Sequence, residues 1–189
     1  MNAPGSDTQR EEALIAACQV GDEQAFATLM VLYGNRLFGF FKAFGQPRFE
    51  AEDLVQETFV RIWRALPSYR HGTRFQAWVF CIAHNLLHDA RRKSQGHQAL
   101  DYREDIHDPG TVANPENHVL ADELGIRLKE ALMGLPEPQK RIFLLRQRGD
   151  LKFREIAEVL EIPLNTALSH MRRAVNALQN IARGQDESR

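Results

Sequence analysis

Apolar side chains recur with helical spacing along much of the chain, most clearly between residues 51 and 93. In 51–66 one face is apolar at intervals of three and four residues, and the opposite face is polar. The apolar positions of this run are Leu54, Val55, Thr58, Phe59, Ile62, Trp63 and Leu66. The next run has a core stripe of Phe75, Trp78, Val79, Ile82 and Leu86 and a second stripe of Cys81, His84, Asn85, His88 and Arg92. The two runs predict two helices that share a core, each with a polar face outside.

Further helices are predicted on either side of this pair. One extends from about Thr8 to Val20, and a longer apolar one follows Asp22, a residue type that caps helix N-termini well. Gly45-Gln46-Pro47 ends the longer helix. Thr73 and Gln76 have the spacing of a capping box, which predicts a helix start there. No segment alternates apolar and polar residues long enough to indicate a strand, so the predicted fold class is all-α.

The helical pattern is lost between residues 95 and 116, where glycines and prolines interrupt a polar, acidic stretch. Residues 101–123 contain seven acidic residues and one arginine. This predicts two small helical domains, 1–94 and 117–182, joined by a flexible acidic linker over 95–116, with a disordered tail at 183–189. Such a linker has a root-mean-square span of about 25–30 Å and reaches about 70 Å only near full extension.

The second domain ends in two short apolar segments joined by a brief turn. Residues 153–160 predict the first helix, residues 166–181 predict the second, and Asn165 is the expected N-cap. This spacing favours a helix-turn-helix, although a plain helical hairpin has a similar pattern. Polar side chains on the outer face of the second helix are suited to phosphates and base edges: Thr166, Ser169, Arg172, Arg173 and Asn176.

Composition limits the classes of function. The chain is 43% hydrophobic and 26% charged, as is usual for a globular protein. No apolar run approaches the length of a membrane helix, and the first residues lack the order of a signal peptide. Cys18 and Cys81 are far apart and indicate neither a disulfide framework nor a paired metal motif. A cytoplasmic protein without membrane insertion is expected.

Short motifs occur in a specific order along residues 21–182. In the first domain they are Gly21-Asp22 with Ala25-Phe26, Asp53 to Phe59, Phe75 to Trp78 and Ile82 to Asn85. In the second they are Asn114 to Glu116, Leu135-Pro136, Leu145-Arg146, Glu155 to Ala157 and Ile162-Pro163 with Thr166. Together these motifs resemble those of the bacterial RNA polymerase sigma factors of the extracytoplasmic-function (ECF) class.

The resemblance implies a factor that binds core RNA polymerase and directs initiation at promoter −10 and −35 elements. It implies that Asp53, Gln56 and Glu57 dock on the clamp of the largest polymerase subunit, and an acidic and amide strip suits a basic partner. It also implies regulation by an anti-sigma factor. No catalytic residue, cofactor or metal is expected.

The resemblance further assigns residues to promoter DNA. Capture of an unstacked −10 base needs a pocket with aromatic or amide groups and nearby cations. The −10 residues expected on this basis are Tyr69, Arg70, His71, Arg74, Phe80, His84, Asn85, His88, Arg91, Arg92 and Lys93. Those expected to contact the −35 element are Thr166, Ser169, His170, Arg172 and Arg173. Trp78 is interpreted as mainly structural.

The chain departs from the family pattern at several positions of the second domain. Lys152 is found where a capping serine is usual, Asp150 where glycine is common, and Glu161 where glycine or a short acid is frequent. Leu168 and Val175 replace positions that are usually basic. The second helix of the helix-turn-helix therefore carries fewer cations than is common, and no −35 sequence can be transferred from a relative.

Two other functions are weighed against this interpretation. A metal hydrolase could use His84 and His88, which are four residues apart, but Asn85 and Leu86 occupy the positions where a general-base glutamate would lie. A helix-turn-helix regulator that acts without the polymerase would bind DNA alone. It would not explain why the strip from Asp53 to Glu57 is acidic.

Overall fold

The computed structural model describes residues 4–70, 74–96 and 128–182, and every regular element within these ranges is helical. The N-terminal domain (4–96) contains α1 (Pro4–Gln19), α2 (Glu23–Ala43), α3 (Arg48–Ala65) with a 3-10 turn at Leu66–Ser68, and α4 (Phe75–Gly96). The C-terminal domain (128–182) contains α5 (128–134), α6 (Glu137–Gln147), α7 (Phe153–Val159) and α8 (Leu164–Ala182). The all-α prediction is confirmed.

Most of the predicted linker, its first two residues excepted, lies outside the described residues. The same holds for residues 117–127, for the tail at 183–189, and for His71 and Thr73.

The connection between α1 and α2 is set by Asp22. Its Oδ1 accepts hydrogen bonds from the backbone N–H groups of Gln24 and Ala25, at 2.9 and 3.0 Å. These donors have no partner within the helix, so the carboxylate satisfies them and fixes the start of α2. The predicted N-cap is confirmed. After α2, Gly45 has a φ of +84°, a conformation that glycine adopts without steric cost and that reverses the chain toward α3.

The apolar face of α3 packs on α2. Phe59 and Ile62 are buried there, as expected. Trp63, predicted on the same face, is 37% exposed and lies at its edge, with its ring 4.7 Å from that of Phe26. Helix α3 begins at Arg48, three residues before the predicted start.

Helix α4 is the central element of the molecule. Val79, Phe80 and Ala83 have no exposed surface, and the helix contacts α2, α3 and α7. The sequence predicted a single core stripe on α4 with a polar stripe outside. The prediction of an outer polar stripe is wrong for His84, which is buried because the C-terminal domain covers that side of the helix.

Two further predicted helix starts, besides that of α3, differ from the structure. Helix α8 begins at Leu164, so Asn165 lies in its first turn, and the carbonyl of Pro163 accepts from the N–H groups of Thr166 and Ala167. Gln76 was expected in a capping box. Its side chain instead donates to the carbonyl of Gly149 in the other domain.

One apolar cluster extends through both domains. Buried residues of α6 and α7, including Ile142, Leu145 and Ile156, belong to the same cluster as Leu37 and Phe80. A smaller cluster of Ala131, Leu135, Ala174 and Leu178 joins α5 to α8. The inner face of α8 thus packs on its own domain, which leaves the opposite face of α8 exposed.

Candidate nucleic-acid and partner interfaces

An acidic and amide strip lies on the outer face of α3. Asp53, Gln56 and Glu57 are exposed, whereas Phe59 and Ile62 of the same helix are buried. Glu57 accepts from Arg61 Nε at 2.9 Å in an exposed pair that contributes little to stability. The strip is therefore a rigid polar surface available to a macromolecular partner.

The aromatic groups expected at the −10 element are core residues. Phe80 has no exposed surface and packs edge-on to Phe40, with 5.5 Å between ring centroids. The assignment of Phe80 to DNA is therefore wrong. Tyr69 is 6% exposed, its ring lies 5.4 Å from Phe75 and 4.9 Å from Trp78, and burial raises the pKa of its hydroxyl. In this arrangement the Tyr69 ring has no free face for a base.

Polar groups at one side and at the end of α4 remain accessible. Asn85, His88, Arg92 and Lys93 are exposed, as is Arg70 before the helix. Arg92 lies 3.3 Å from Asp89 in an exposed pair. These side chains could contact a phosphate backbone without any rearrangement of the fold.

Three other residues assigned to the −10 element face the C-terminal domain. Arg91 forms an ion pair with Glu137 of α6 and donates to the carbonyl of Phe44 at 2.8 Å. Arg74 lies 3.5 Å from Glu155 of α7. His84 is 8% exposed, and burial, with a further contribution from the charge of Arg141, lowers its pKa.

Sequence reasoning missed the residues that join the domains. Arg36 of α2 donates to the carbonyl of Arg148 at 3.0 Å and to that of Gly149 at 2.7 Å. Gln76 donates to the same Gly149 carbonyl. The donors and acceptors are separated by 73 to 113 residues in the chain, so no local pattern could reveal these bonds.

In the C-terminal domain, α7 and α8 form a helix-turn-helix. The turns on either side of α7 each contain a non-glycine residue with a positive φ, 48° at Asp150 and 54° at Glu161. At both positions the sequence departs from the residue that the resemblance leads us to expect, which is glycine at 150 and glycine or a short acid at 161. At Lys152, which replaces a capping serine, the backbone N–H donates to Glu155 Oε2 at 2.7 Å, so the helix start is capped by another residue.

Only some of the residues expected to contact the −35 element are exposed on α8. Arg172 and Arg173 are exposed, and Thr166 is half-buried. Ser169 is half-buried, and its hydroxyl donates to the carbonyl of Thr166 at 2.9 Å. The Nδ1 atom of His170 is enclosed without a hydrogen-bond partner.

The described residues contain no group of three or more His, Cys, Asp or Glu side chains placed to hold a metal ion. His84 and His88 do not share an accessible face, since His84 is buried and His88 is exposed. Across 4–70, 74–96 and 128–182, no helix combines the length and apolar character needed to cross a membrane.

Comparison with known families assigns both domains. Residues 29–97 match the model of Sigma-70 region 2, and residues 125–178 match that of Sigma-70, region 4. This order, with the helix-turn-helix second, defines a two-domain sigma factor. The ECF RNA polymerase sigma-E factor of Haemophilus influenzae is 30% identical over 178 residues, covering 90% of this chain and 94% of that protein. The Escherichia coli (strain K12) protein of the same name is 30% identical over 183 residues, covering 93% and 95%.

The chain therefore belongs to the ECF sigma factor family, whose members direct transcription initiation by RNA polymerase. This family is not known for enzymatic activity.

Solved structures show the same fold. CnrH, in complex with the cytosolic domain of CnrY, is similar with a TM-score of 0.70 and 23% identity, covering 93% of this chain and 98% of that one. RpoE of Bartonella quintana, in complex with the anti-sigma factor NepR, has a TM-score of 0.68 and 23% identity, covering 87% and 98%.

Proposed function

We propose that Asp53, Gln56 and Glu57 are the surface by which this sigma factor docks on the clamp of core RNA polymerase in the cytoplasm. The observation that supports this most directly is the exposure of all three on one rigid face of α3, within the region 2 match. An acidic strip of this kind attracts a basic partner, and such complementarity sets both partner choice and association rate.

The test is a charge reversal with a charge-matched control. Asp53→Lys with Glu57→Lys is expected to weaken association with core polymerase about ten-fold or more and to reduce promoter-dependent initiation in parallel. The control reverses two other exposed acids, Glu12 and Glu130, and gives the same change in net charge. Equal affinity of the two double variants for core polymerase would refute the docking surface.

For the −10 element we propose that Asn85, on the accessible side of α4, receives an unstacked base, while neighbouring arginine, lysine and histidine side chains contact phosphates. The phosphate set consists of Arg70, His71, Arg74, His84, His88, Arg91, Arg92 and Lys93. Tyr69 shapes this surface from beneath through its contact with Trp78. An amide beside several cations fits the recognition of a flipped base on a charged strand.

For the −35 element we propose the outer face of α8. Arg172 and Arg173 supply the exposed positive charge. The same helix carries Thr166, Ser169 and His170, which would position it in the major groove.

We further propose that the free chain binds promoter duplex weakly. In the described arrangement the C-terminal domain covers His84 and pairs with Arg91 and Arg74, so three −10 residues are engaged within the chain. Two promoter elements about two helical turns apart also lie about 70 Å apart, near the limit of the linker. Titration of a promoter duplex with the free chain and with its complex with core polymerase tests this. Tight, sequence-specific binding by the free chain would refute it.

Regulation by an anti-sigma factor is a further proposal. The Bartonella relative is held by an anti-sigma factor, and this chain shares its fold. A regulator that binds both domains would stabilise the domain arrangement described above. The −10 residues Arg74, His84 and Arg91 would then stay in contact with the C-terminal domain. Co-purification of the chain from its own cells, followed by competition with core polymerase, would test for such a partner.

A further inference from the structure

Leu168 is an exposed apolar side chain at the edge of the outer face of α8, between the half-buried Met171 and the exposed Arg172. It is 43% exposed and lies one helical turn before Arg172, in the N-terminal half of α8. The other exposed large apolar side chains of the C-terminal domain have other surroundings. Leu128 borders the residues outside the described ranges, and Met133 lies against Gly45 of the N-terminal domain.

The core of the domain does not account for Leu168. Helix α8 packs inward through Ala167, Ala174 and Leu178, which are buried in the two apolar clusters. Leu168 is far more exposed than these three, so its truncation removes less buried apolar surface than truncation of Leu178 would.

The neighbouring polar groups leave few direct contacts for base edges. The hydroxyl of Ser169 is already donated to the carbonyl of Thr166, and Nδ1 of His170 is enclosed. The recognition helix of a helix-turn-helix reads bases mainly through its N-terminal residues. In that part of α8, Leu168 is the large side chain that reaches outward beside Asn165 and Arg172.

We propose that Leu168 is a specificity-determining residue that contacts the C5-methyl group of a thymine in the −35 element. An apolar side chain cannot satisfy the donors and acceptors of the groove, but the thymine methyl is the apolar feature of the major-groove edge. This inference rests on the proposed role of the outer face of α8 at the −35 element.

The experiment uses core polymerase with the full chain and a promoter library randomised at the −35 element. Selection by initiation is expected to enrich thymine at one position with the wild-type factor and to lose that preference with Leu168→Ala. Replacing this thymine by uracil, which removes only the methyl group, should reduce wild-type initiation about four-fold, the effect of one buried carbon group. The same replacement should not affect Leu168→Ala.

Leu32→Ala is the matched control, because Leu32 is 50% exposed on α2 in the other domain. It should keep both the thymine preference and the sensitivity to uracil. The proposal is overturned if the wild-type factor selects no thymine, or if Leu168→Ala responds to uracil as the wild type does. Equal initiation by the wild type from every library member, with no base preference at any −35 position, would instead contradict the proposed −35 role of α8.

Discussion

Arg74 of the N-terminal domain lies 3.5 Å from Glu155, the residue that caps α7 in the C-terminal domain. One carboxylate therefore serves two purposes. It accepts the backbone N–H of Lys152 at the start of α7, and it faces a cation assigned to the −10 element. Helix α7 is short and packs on α4, so the start of this helix and the contact between the domains are linked.

Glu155→Ala is expected to lower the free energy of unfolding by about 1 kcal/mol, because the capping interaction is lost. Glu155→Gln keeps an acceptor for the Lys152 N–H. It should lower the free energy of unfolding by only about 0.3 kcal/mol, since the ion pair with Arg74 that it removes is partly exposed. Urea denaturation of both variants measures the difference. Glu158→Ala, at an exposed position of the same helix, is the control. Equal destabilisation by alanine and glutamine at 155 would contradict the capping role.

Glu161→Gly is expected to raise the free energy of unfolding by about 0.5–1 kcal/mol. The φ of 54° costs an L-residue more than it costs glycine, although glycine loses more entropy on folding. Thermal and urea unfolding would measure the gain. Glu158→Gly, placed within α7, should destabilise by about 1 kcal/mol. If Glu161→Gly also destabilised the protein, backbone strain at this turn would not be the dominant effect.

Stability should fall with acidification partly because of His84. Burial, with a further contribution from Arg141, lowers its pKa below the ordinary 6.5, while Glu137 opposes the shift and His88 adds to it. The folded protein therefore keeps His84 neutral to a lower pH than the unfolded chain, whose histidine binds a proton below about pH 6.5. The contribution is present above that pH and is lost as the pH falls.

Unfolding free energies measured between about pH 5 and 8 should decline less steeply for His84→Leu than for the wild type. Parallel curves for the two proteins would show that His84 does not contribute to this dependence.

Arg36→Ala should weaken the contact between the domains. The variant loses two hydrogen bonds to the carbonyls of Arg148 and Gly149. Together these bonds stabilise the arrangement in which the two domains are in contact by about 1–2 kcal/mol. Small-angle X-ray scattering of the free chain should show a larger radius of gyration. Arg48→Ala removes the same side chain from an exposed pair with Glu52 and should leave the radius unchanged. An unchanged radius for Arg36→Ala as well would mean that these bonds do not hold the domains together.

Local features of the fold could be predicted from the sequence because they depend on neighbouring residues. Apolar spacing located α1 to α4, and the residue type at Asp22 identified the cap of α2. Helix starts set by other means were misplaced: α3 begins at a proline boundary, and α8 begins at Leu164 although Asn165 is the better capping residue.

Features that depend on the other domain could not be predicted. From α4 alone, His84 would be expected in solvent and Gln76 in a cap of its own helix. In the structure His84 is affected by Arg141 and Glu137, and Gln76 donates to Gly149, all in the C-terminal domain. Phe80 was assigned by resemblance, whereas its burial follows from the central position of α4 between three other helices. The sequence shows that Asp150 and Glu161 depart from the family pattern. Only the structure shows that both have a positive φ, a conformation in which glycine would avoid the steric strain of a side chain.

The position of Gly149, whose carbonyl receives both Arg36 and Gln76, has a consequence for affinity measurements. Any ligand that needs the domains apart binds only the open fraction, so its apparent dissociation constant is the intrinsic one divided by that fraction. Dissociation constants measured with the intact chain would then report the opening equilibrium together with the contact itself. A mutation at Gly149 could change the apparent affinity for polymerase or DNA without touching either one.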